Sequence, residues 1–222
     1  LVGSEMCIRD SPWIRLDLAR LYQQAGRPDQ ARSVMDGLLA VHGDQPEALH
    51  ANALLAQETG DWQGAYASLE RIPSAARTPE MTQLRNTAWI ELQARQAGLL
   101  VAQGRAGEAQ QLLARTETAL GNQLEDPQLL AALAGAHADA GNTPRALTLA
   151  QRLVTGANPS TEDRLQYAGV LLRAHQHAEL SAVLRQLQAI TMTPEQLRRY
   201  RTLRSAYTLR QVDACLLYTS DA

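Results

Sequence analysis

His175 and His177, two residues apart, come nearest to a metal pair in this chain. A zinc-type site needs three or four converging His, Cys, Asp or Glu ligands. No cysteine lies near this pair, and Glu179 is the one acid close by. The pair also falls where a turn between two helices is expected, so both read as turn residues and no metal site is assigned. Glu125–Asp126 and Glu162–Asp163 are adjacent carboxylates that could divide acid and base roles. Both flank expected helix starts, where negative charge complements the helix dipole. Ser, His and Asp all occur, but without the strand–turn–helix elbow that presents a nucleophile. All 21 basic residues are Arg, which removes Schiff-base chemistry and the phosphate-loop lysine. No catalytic residue and no cofactor is assigned.

Two further groups could bind rather than react. Arg198, Arg199, Arg201, Arg204 and Arg210 crowd one expected helix and could meet an anionic partner. A solvated helix face explains them as well. Trp13, Trp62 and Trp89 could stack on sugar rings. Trp62 opens a helix and reads as packed on its neighbour, whereas Trp13 falls at the edge of the first helix.

The chain has 222 residues and a formal charge of −2, with 45% hydrophobic but only 4% aromatic residues. Near-neutrality excludes a generic polyanion binder, so no nucleic acid is expected. No apolar run reaches the roughly 18 residues of a membrane helix, so no direct membrane insertion is expected. The two ends stand apart. Residues 1–11, LVGSEMCIRDS, and 215–222, CLLYTSDA, resemble translated adapter sequence from transposase-based DNA libraries. MCIRDS can be coded ATG-TGT-ATA-AGA-GAC-AG. The reverse complement contains TGT-CTC-TTA-TAC-ACA, which reads CLLYT. Both ends are set aside as artefacts. Cys7 and Cys215 go with them, so residues 12–214 hold no cysteine and thiol chemistry is excluded. That segment is formally neutral and is read as a fragment, so a missing signal peptide carries no information on compartment.

Self-similarity organises the rest. Ala19, Tyr22, Gly26 and Ala31 recur 34 residues later as Ala53, Ala56, Gly60 and Ala65. Ala97, Leu100, Gly104, Ala109 and then Ala134, His137, Gly141, Ala146 match the same template. Ala168, Leu171, His175 and Leu180 follow 34 residues beyond the last of these. Small residues at the eighth and twentieth places let two helices approach. The glycine at the fifteenth takes a positive φ and ends the first helix. His175 and Leu180 depart from that pattern, so this unit is expected to be the weakest. The extra residues between units lie at 73–90 and 120–126.

Caps agree with the phasing. Thr78-Pro79-Glu80, Asp126-Pro127, Thr143-Pro144 and Thr193-Pro194 each place a capping side chain before a proline, and Thr193 with Gln196 fits a capping box. The pattern predicts helices over 13–25, 28–42, 46–59, 62–71, 79–103, 106–119, 127–140, 144–155, 161–174, 177–189 and 194–210. The fold class is all-α: a right-handed α-α superhelix, a solenoid of about five helical hairpins plus a partial sixth. Its parts are two repeats over 12–78, a long spacer helix with three further repeats over 79–193, and a truncated repeat at 194–214. The long helix over 79–103 is read as a rigid spacer that redirects the superhelix.

On this phasing the second, fifth, ninth, twelfth and thirteenth places of each first helix face a concave groove. The binding candidates are Trp13, Arg20, Gln23 and Gln24 in the first unit and His50, Gln57 and Glu58 in the second. Asp139 and Arg173 are their counterparts further along, Leu16 and Leu165 also fall on inward places, and His137, like His50 on a first-helix face, reads as a surface or groove-lining residue. The mixed groove contains no Lys, which argues against a clamp for a peptide carboxylate.

A 34-residue helical hairpin of this pattern resembles the tetratricopeptide repeat. More specifically, WIRLDLARLYQQAG (Trp13 to Gly26), followed by PDQAR and MD, resembles the periplasmic repeat region of the bacterial cellulose synthase operon protein C family. The resemblance spans nearly all of 12–214 and is strongest over 13–48. It implies a non-catalytic scaffold in the periplasm, linking an inner-membrane synthase to an outer-membrane export pore. The parent would be anchored by a C-terminal barrel absent here. Implied partners are proteins of a cellulose synthase complex, with the glucan chain as a further candidate ligand. Read from the repeats alone, a generic protein–protein adaptor in an unrelated assembly or chaperone complex stays open, and a helical-barrel glycosidase is disfavoured by the scarcity of aromatic rings.

Arrays of this kind are held by nearest-neighbour packing, each hairpin burying a face it cannot cover alone. Expressed by itself, this segment is expected to be marginally stable or to self-associate. Sedimentation showing a concentration-independent monomer, together with a steep, high melting transition, would refute that.

Overall fold

The computed structural model describes residues 11–156 and 158–220, with side chains described as far as 209. The adapter-like stretches fall largely outside the described residues, as do Cys7 and the side chains of Arg210 and Cys215. Eleven α-helices are described: α1 (Pro12–Gln24), α2 (Pro28–His42), α3 (Pro46–Glu58), α4 (Trp62–Glu70), α5 (Pro79–Ala102), α6 (Ala106–Leu120), α7 (Pro127–Asp139), α8 (Thr143–Val154), α9 (Thr161–Arg173), α10 (His177–Gln188) and α11 (Pro194–Ser220). Among the described residues there is no strand. Two 3-10 turns that periodicity does not reveal, Ser74–Ala76 and Gly121–Glu125, occupy parts of the extra segments.

Each hairpin closes on the small residues named above. Ala19, Ala31, Ala53, Ala65, Ala97, Ala109, Ala134, Ala146 and Ala168 are all 0% exposed. Leu180, which replaces a small residue, is equally buried. The turn is built the same way five times. Gly26, Gly60, Gly104 and Gly141 adopt φ of +71, +74, +76 and +74°. His175 takes the same conformation at +56°, the one non-glycine to do so among the described residues. At each turn the next residue donates its N–H to the carbonyl five residues back: Arg27 to Tyr22, Asp61 to Ala56, Arg105 to Leu100, Asn142 to His137 and Gln176 to Leu171, at 2.8–2.9 Å. This satisfies carbonyls that the helix end would leave orphaned.

Capping follows the sequence with one correction. Asp126 accepts from Gln128 and Leu129 N–H, and Thr78 from Met81 N–H. Thr193 and Gln196 form the expected reciprocal box at 3.1 and 3.3 Å. Thr143, expected as a cap, is the first helical residue of α8; Asn142 caps it, accepting from Arg145 N–H. The asparagine is one residue earlier, where its short amide reaches the first turn. Ser160 and Asp163 form a second capping box, which accounts for Asp163 without acid–base chemistry.

The chain forms two compact units, Leu1–Leu92 and Gln93–Ala222, divided within α5. In the first, Leu16, Ala19, Met35, Leu38, Ala48 and Leu55 form one core cluster. Leu49, Ala53, Leu69 and Ile72 form another with Met81, Leu84 and Ala88 of α5. The opening turns of the long helix are therefore core, laid over the second hairpin as a further hairpin would be.

The helix bounds also recur at a longer interval. α7 starts and ends 115 residues after α1 (12 to 127, 24 to 139), and α9 does the same relative to α3 (46 to 161, 58 to 173). The starts of α8, α10 and α11 keep that shift from α2, α4 and α5 (28 to 143, 62 to 177, 79 to 194). His175 thus stands in the position of Gly60.

A positive φ costs an L-residue roughly 1 kcal/mol or more, and a glycine nothing in strain. Gly60→Ala and Gly141→Ala should each lower the unfolding free energy by about 1 kcal/mol. His175→Gly should leave it unchanged or raise it. Urea unfolding of the three variants checks the order, and equal losses at all three positions would contradict it.

Candidate functional site

Most of the residues singled out on the first helix of each hairpin meet one another. The Arg20 guanidinium on α1 reaches across to α3, holding Glu58 through Nε at 3.0 and 3.1 Å and through Nη2 at 2.6 Å. Asp17, one turn before, accepts from its Nη1 at 3.2 Å. Glu58 raises the Arg20 pKa above its ordinary value. Trp13 stands edge-on to His50 with ring centroids 5.6 Å apart. Burial pushes the His50 imidazole below its ordinary value, against the pull of Glu80. In the second unit Arg173 on α9 donates to Asp139 on α7 at 3.4 Å, and Glu162 on α9 pairs with Arg199 on α11.

Positions 115 apart use the same geometry with different residues. Arg20 corresponds to Gly135, Glu58 to Arg173 and Gln24 to Asp139. A side chain at Gly135 would collide with the Arg173 guanidinium, which crosses it on the way to Asp139. The link between neighbouring first helices is kept while the donor and acceptor change helices. Such half-exposed pairs contribute modestly, about 1 kcal/mol or less. They neutralise the face they lie on and fix the register of adjacent hairpins.

Within the first unit a cleft of about 1000 Å³ lies beside this face. Arg20, Gln23, Gln24 and Glu58 line it, with Arg32, Asp36, Asn52 and Asp61. Gln57 is half-buried and is not among the lining residues. Periodicity did not single out Asn52, which donates to Ser68 Oγ at 2.9 Å. Its signal was available: Asn52 occupies a place that holds Leu18, Leu133 and Tyr167 in other hairpins. In the second unit Tyr167, 4% exposed, donates its hydroxyl to Glu179 beside a cleft of about 660 Å³. Burial is the first reason its phenol is held well above its ordinary value.

Three inward assignments are corrected. Leu16 and Leu165 are core residues, 2% and 1% exposed, because their place faces the seam between packed helices. His137, read as a surface or groove residue, is 1% exposed. Neither ring nitrogen finds a hydrogen-bond partner, and the Glu117 carboxylate lies 3.9 Å from Nε2. His175 is an exposed turn residue, whereas His177, expected in the turn, is the exposed first residue of α10; their rings meet edge to face at 6.1 Å. Among the described residues no group of three His, Cys, Asp or Glu is placed to hold a metal. Trp62 packs against the second core cluster, as its sequence position implied. No described helix is long and apolar enough to cross a membrane.

Two family models, both described as tetratricopeptide repeat, match residues 9–57 and 127–152. Over 202 residues, 91% of its length, the chain is 90% identical to cellulose synthase operon protein C of Xanthomonas axonopodis pv. citri (strain 306). The chain belongs to the cellulose synthase operon protein C family. It is also 35% identical over 206 residues (92% of the chain) to the protein of that name from Pseudomonas fluorescens (strain SBW25). To cellulose synthase 2 operon protein C of Komagataeibacter xylinus it is 33% identical over 164 residues (74% of the chain). It spans 13%, 16% and 12% of the lengths of these relatives, respectively. No solved structure matches it. Within this family the chain is tetratricopeptide-repeat sequence, which the five turns and their paired alanines embody.

The buried imidazole of His137 gives this repeat segment a pH dependence. Burial depresses its pKa below the ordinary 6.5; Glu117 opposes the shift and Arg145, which grips Glu117, adds to it. A depressed folded value means that the unfolded chain binds the proton first. The stability contribution is therefore complete above about pH 6.5 and is lost as pH falls toward the folded value. Leucine occupies the same place at Leu100 and Leu171. His137→Leu should flatten that acid limb with little change at pH 7.5. Chemical unfolding from pH 7.5 to 5 tests this, and an unaltered slope in the variant would refute it.

Proposed function

We propose that this segment is a non-catalytic scaffold of the cellulose synthesis and export machinery. In this reading it lies in the periplasm and links an inner-membrane synthase to an outer-membrane export pore. The relatives' names supply the process, and the paired first helices supply the physical reason. The Arg20–Glu58 and Asp139–Arg173 pairs consume the charges on the face where a repeat array of this kind would hold a ligand. The cleft beside that face keeps Arg32, Asp36 and Asp61 in its lining together with the amides of Gln23, Gln24 and Asn52, a mixed surface suited to protein partners and to an uncharged glucan alike. The residues singled out on α1 and α3 form one proposed contact surface, and those on α7 and α9 another.

The reading separates polymer export from polymer synthesis. In the Xanthomonas relative, the matched 202 residues would be replaced by a flexible linker of the same length. Extracellular cellulose should be lost while isolated inner membranes continue to make glucan. Undiminished export, or loss of synthesis in the isolated membranes, would overturn the scaffold role. Titration of cellohexaose against the chain, with Trp13→Ala as control, tests the glucan contact separately.

A further inference from the structure

The second unit's cleft of about 660 Å³ lies on the far side of α9 from its cross-helix ion pairs. Arg164 and Tyr167 of α9 line it, whereas Glu162 and Arg173, which make those pairs, project from the opposite side of the same helix. α8 and α10 form its walls, through Gln151 and Gln186. Both glutamines are exposed, and their carboxamides bond to nothing among the described residues. Arg164 is half-buried; its Nε donates to the Pro159 carbonyl at 3.3 Å, and it pairs with no acid among the described residues. One turn further along α9, roughly 5 Å on, the Tyr167 hydroxyl holds the Glu179 carboxylate of α10. The cleft is thus cationic at one point and anionic about a helical turn away, with Val154 and Val183 as apolar lining.

Repeat packing does not require these charges. At the places 115 residues earlier stand Leu49, a core residue 1% exposed, and Gly64. Asn52, at the place of Tyr167, spends its amide on Ser68. We propose that the α8–α10 cleft is a binding site for an extended peptide segment that carries an acidic and a basic residue two apart. Side chains two apart in an extended chain share one face, about 7 Å from each other. That matches the turn between Arg164 and the Tyr167–Glu179 bond, so both charges can be met at once. Carboxamides on the two walls offer donors and acceptors to the intervening peptide bonds. A sugar fits less well. The aromatic ring lining the cleft, Tyr167, is 4% exposed and offers its hydroxyl, not an open face for a pyranose to stack on. The site stands apart from the first-helix surfaces proposed above and does not depend on them.

The test titrates two capped heptapeptides against the isotope-labelled full chain, followed by NMR: Gly-Ser-Asp-Val-Lys-Ser-Gly and the same peptide with Asp and Lys exchanged. One of the two should shift amides of α8, α9 and α10, and a peptide with Asn and Gln in place of the charges should not. Arg164→Gln and Glu179→Gln should each weaken binding about fivefold. Glu179→Gln keeps an acceptor for Tyr167 at an exposed position, so its fold is retained. Glu179→Arg should exchange the preference, rejecting the mixed peptide and taking one with Asp at both places, an exchange that a merely structural role would not produce. No shifts with either order at millimolar peptide, or undiminished affinity in both Gln variants, would overturn the proposal. Cellohexaose moving the same amides would make the cleft a sugar site, and so would also overturn it.

Discussion

Two helices cross most closely where neither carries more than a methyl group, and four of the five hairpins meet that condition at both places. The alanines at the eighth and twentieth places are shut off from solvent, and the turn between them must then reverse the chain within three residues. A positive φ at the fifteenth place does so while returning an N–H to the carbonyl five residues back. Close approach and tight turn reinforce each other: bulk at either alanine would spread the helices beyond what the turn can span. Leu180 shows how the condition relaxes. A leucine there is fully buried, and it lies in the hairpin whose turn is made by His175 instead of glycine.

Elements governed by this condition were legible in the sequence. Alanine and glycine spacing placed all eleven helices, with bounds within a residue or two, because small residues and positive-φ turns leave a signal at fixed positions. Only α11 runs well past its expected end, where no glycine or proline stops it. The chemistry of the first-helix face was legible only in part. Spacing put Arg20, Glu58, Asp139 and Arg173 on one face, yet it could not show that they pair, because pairing depends on how far α3 is displaced along α1. The displacement joins residues 38 apart in one case and 34 in the other. His137 was misread for a related reason: α7 is apolar on nearly all sides, so the phase of a lone polar residue could not be read from its neighbours.

A face whose charges are spent on one another differs in function from one that displays them. Each cross-helix pair ties two hairpins together at small gain in stability, since both partners remain partly in water. The larger effect is on selectivity. A free guanidinium would attract any carboxylate, whereas one already held by Glu58 offers a ligand little electrostatic advantage and must be desolvated to be used.

The 115-residue shift turns the exchange of charges into an argument about what is constrained. Arg20 and Glu58 in one set of hairpins become Gly135 and Arg173 in the other, with Asp139 supplying the acid from one turn further along. Helix bounds are kept to the residue at both ends of the two first helices while the pair on their surface is rebuilt with the opposite polarity. Packing therefore fixes where the helices begin, turn and cross, and the polar link between them needs only one donor and one acceptor within reach. A surface free to be rebuilt in this way can differ from hairpin to hairpin along a long array without disturbing the core beneath it. That separation allows one backbone plan to carry successive contact surfaces of different chemistry.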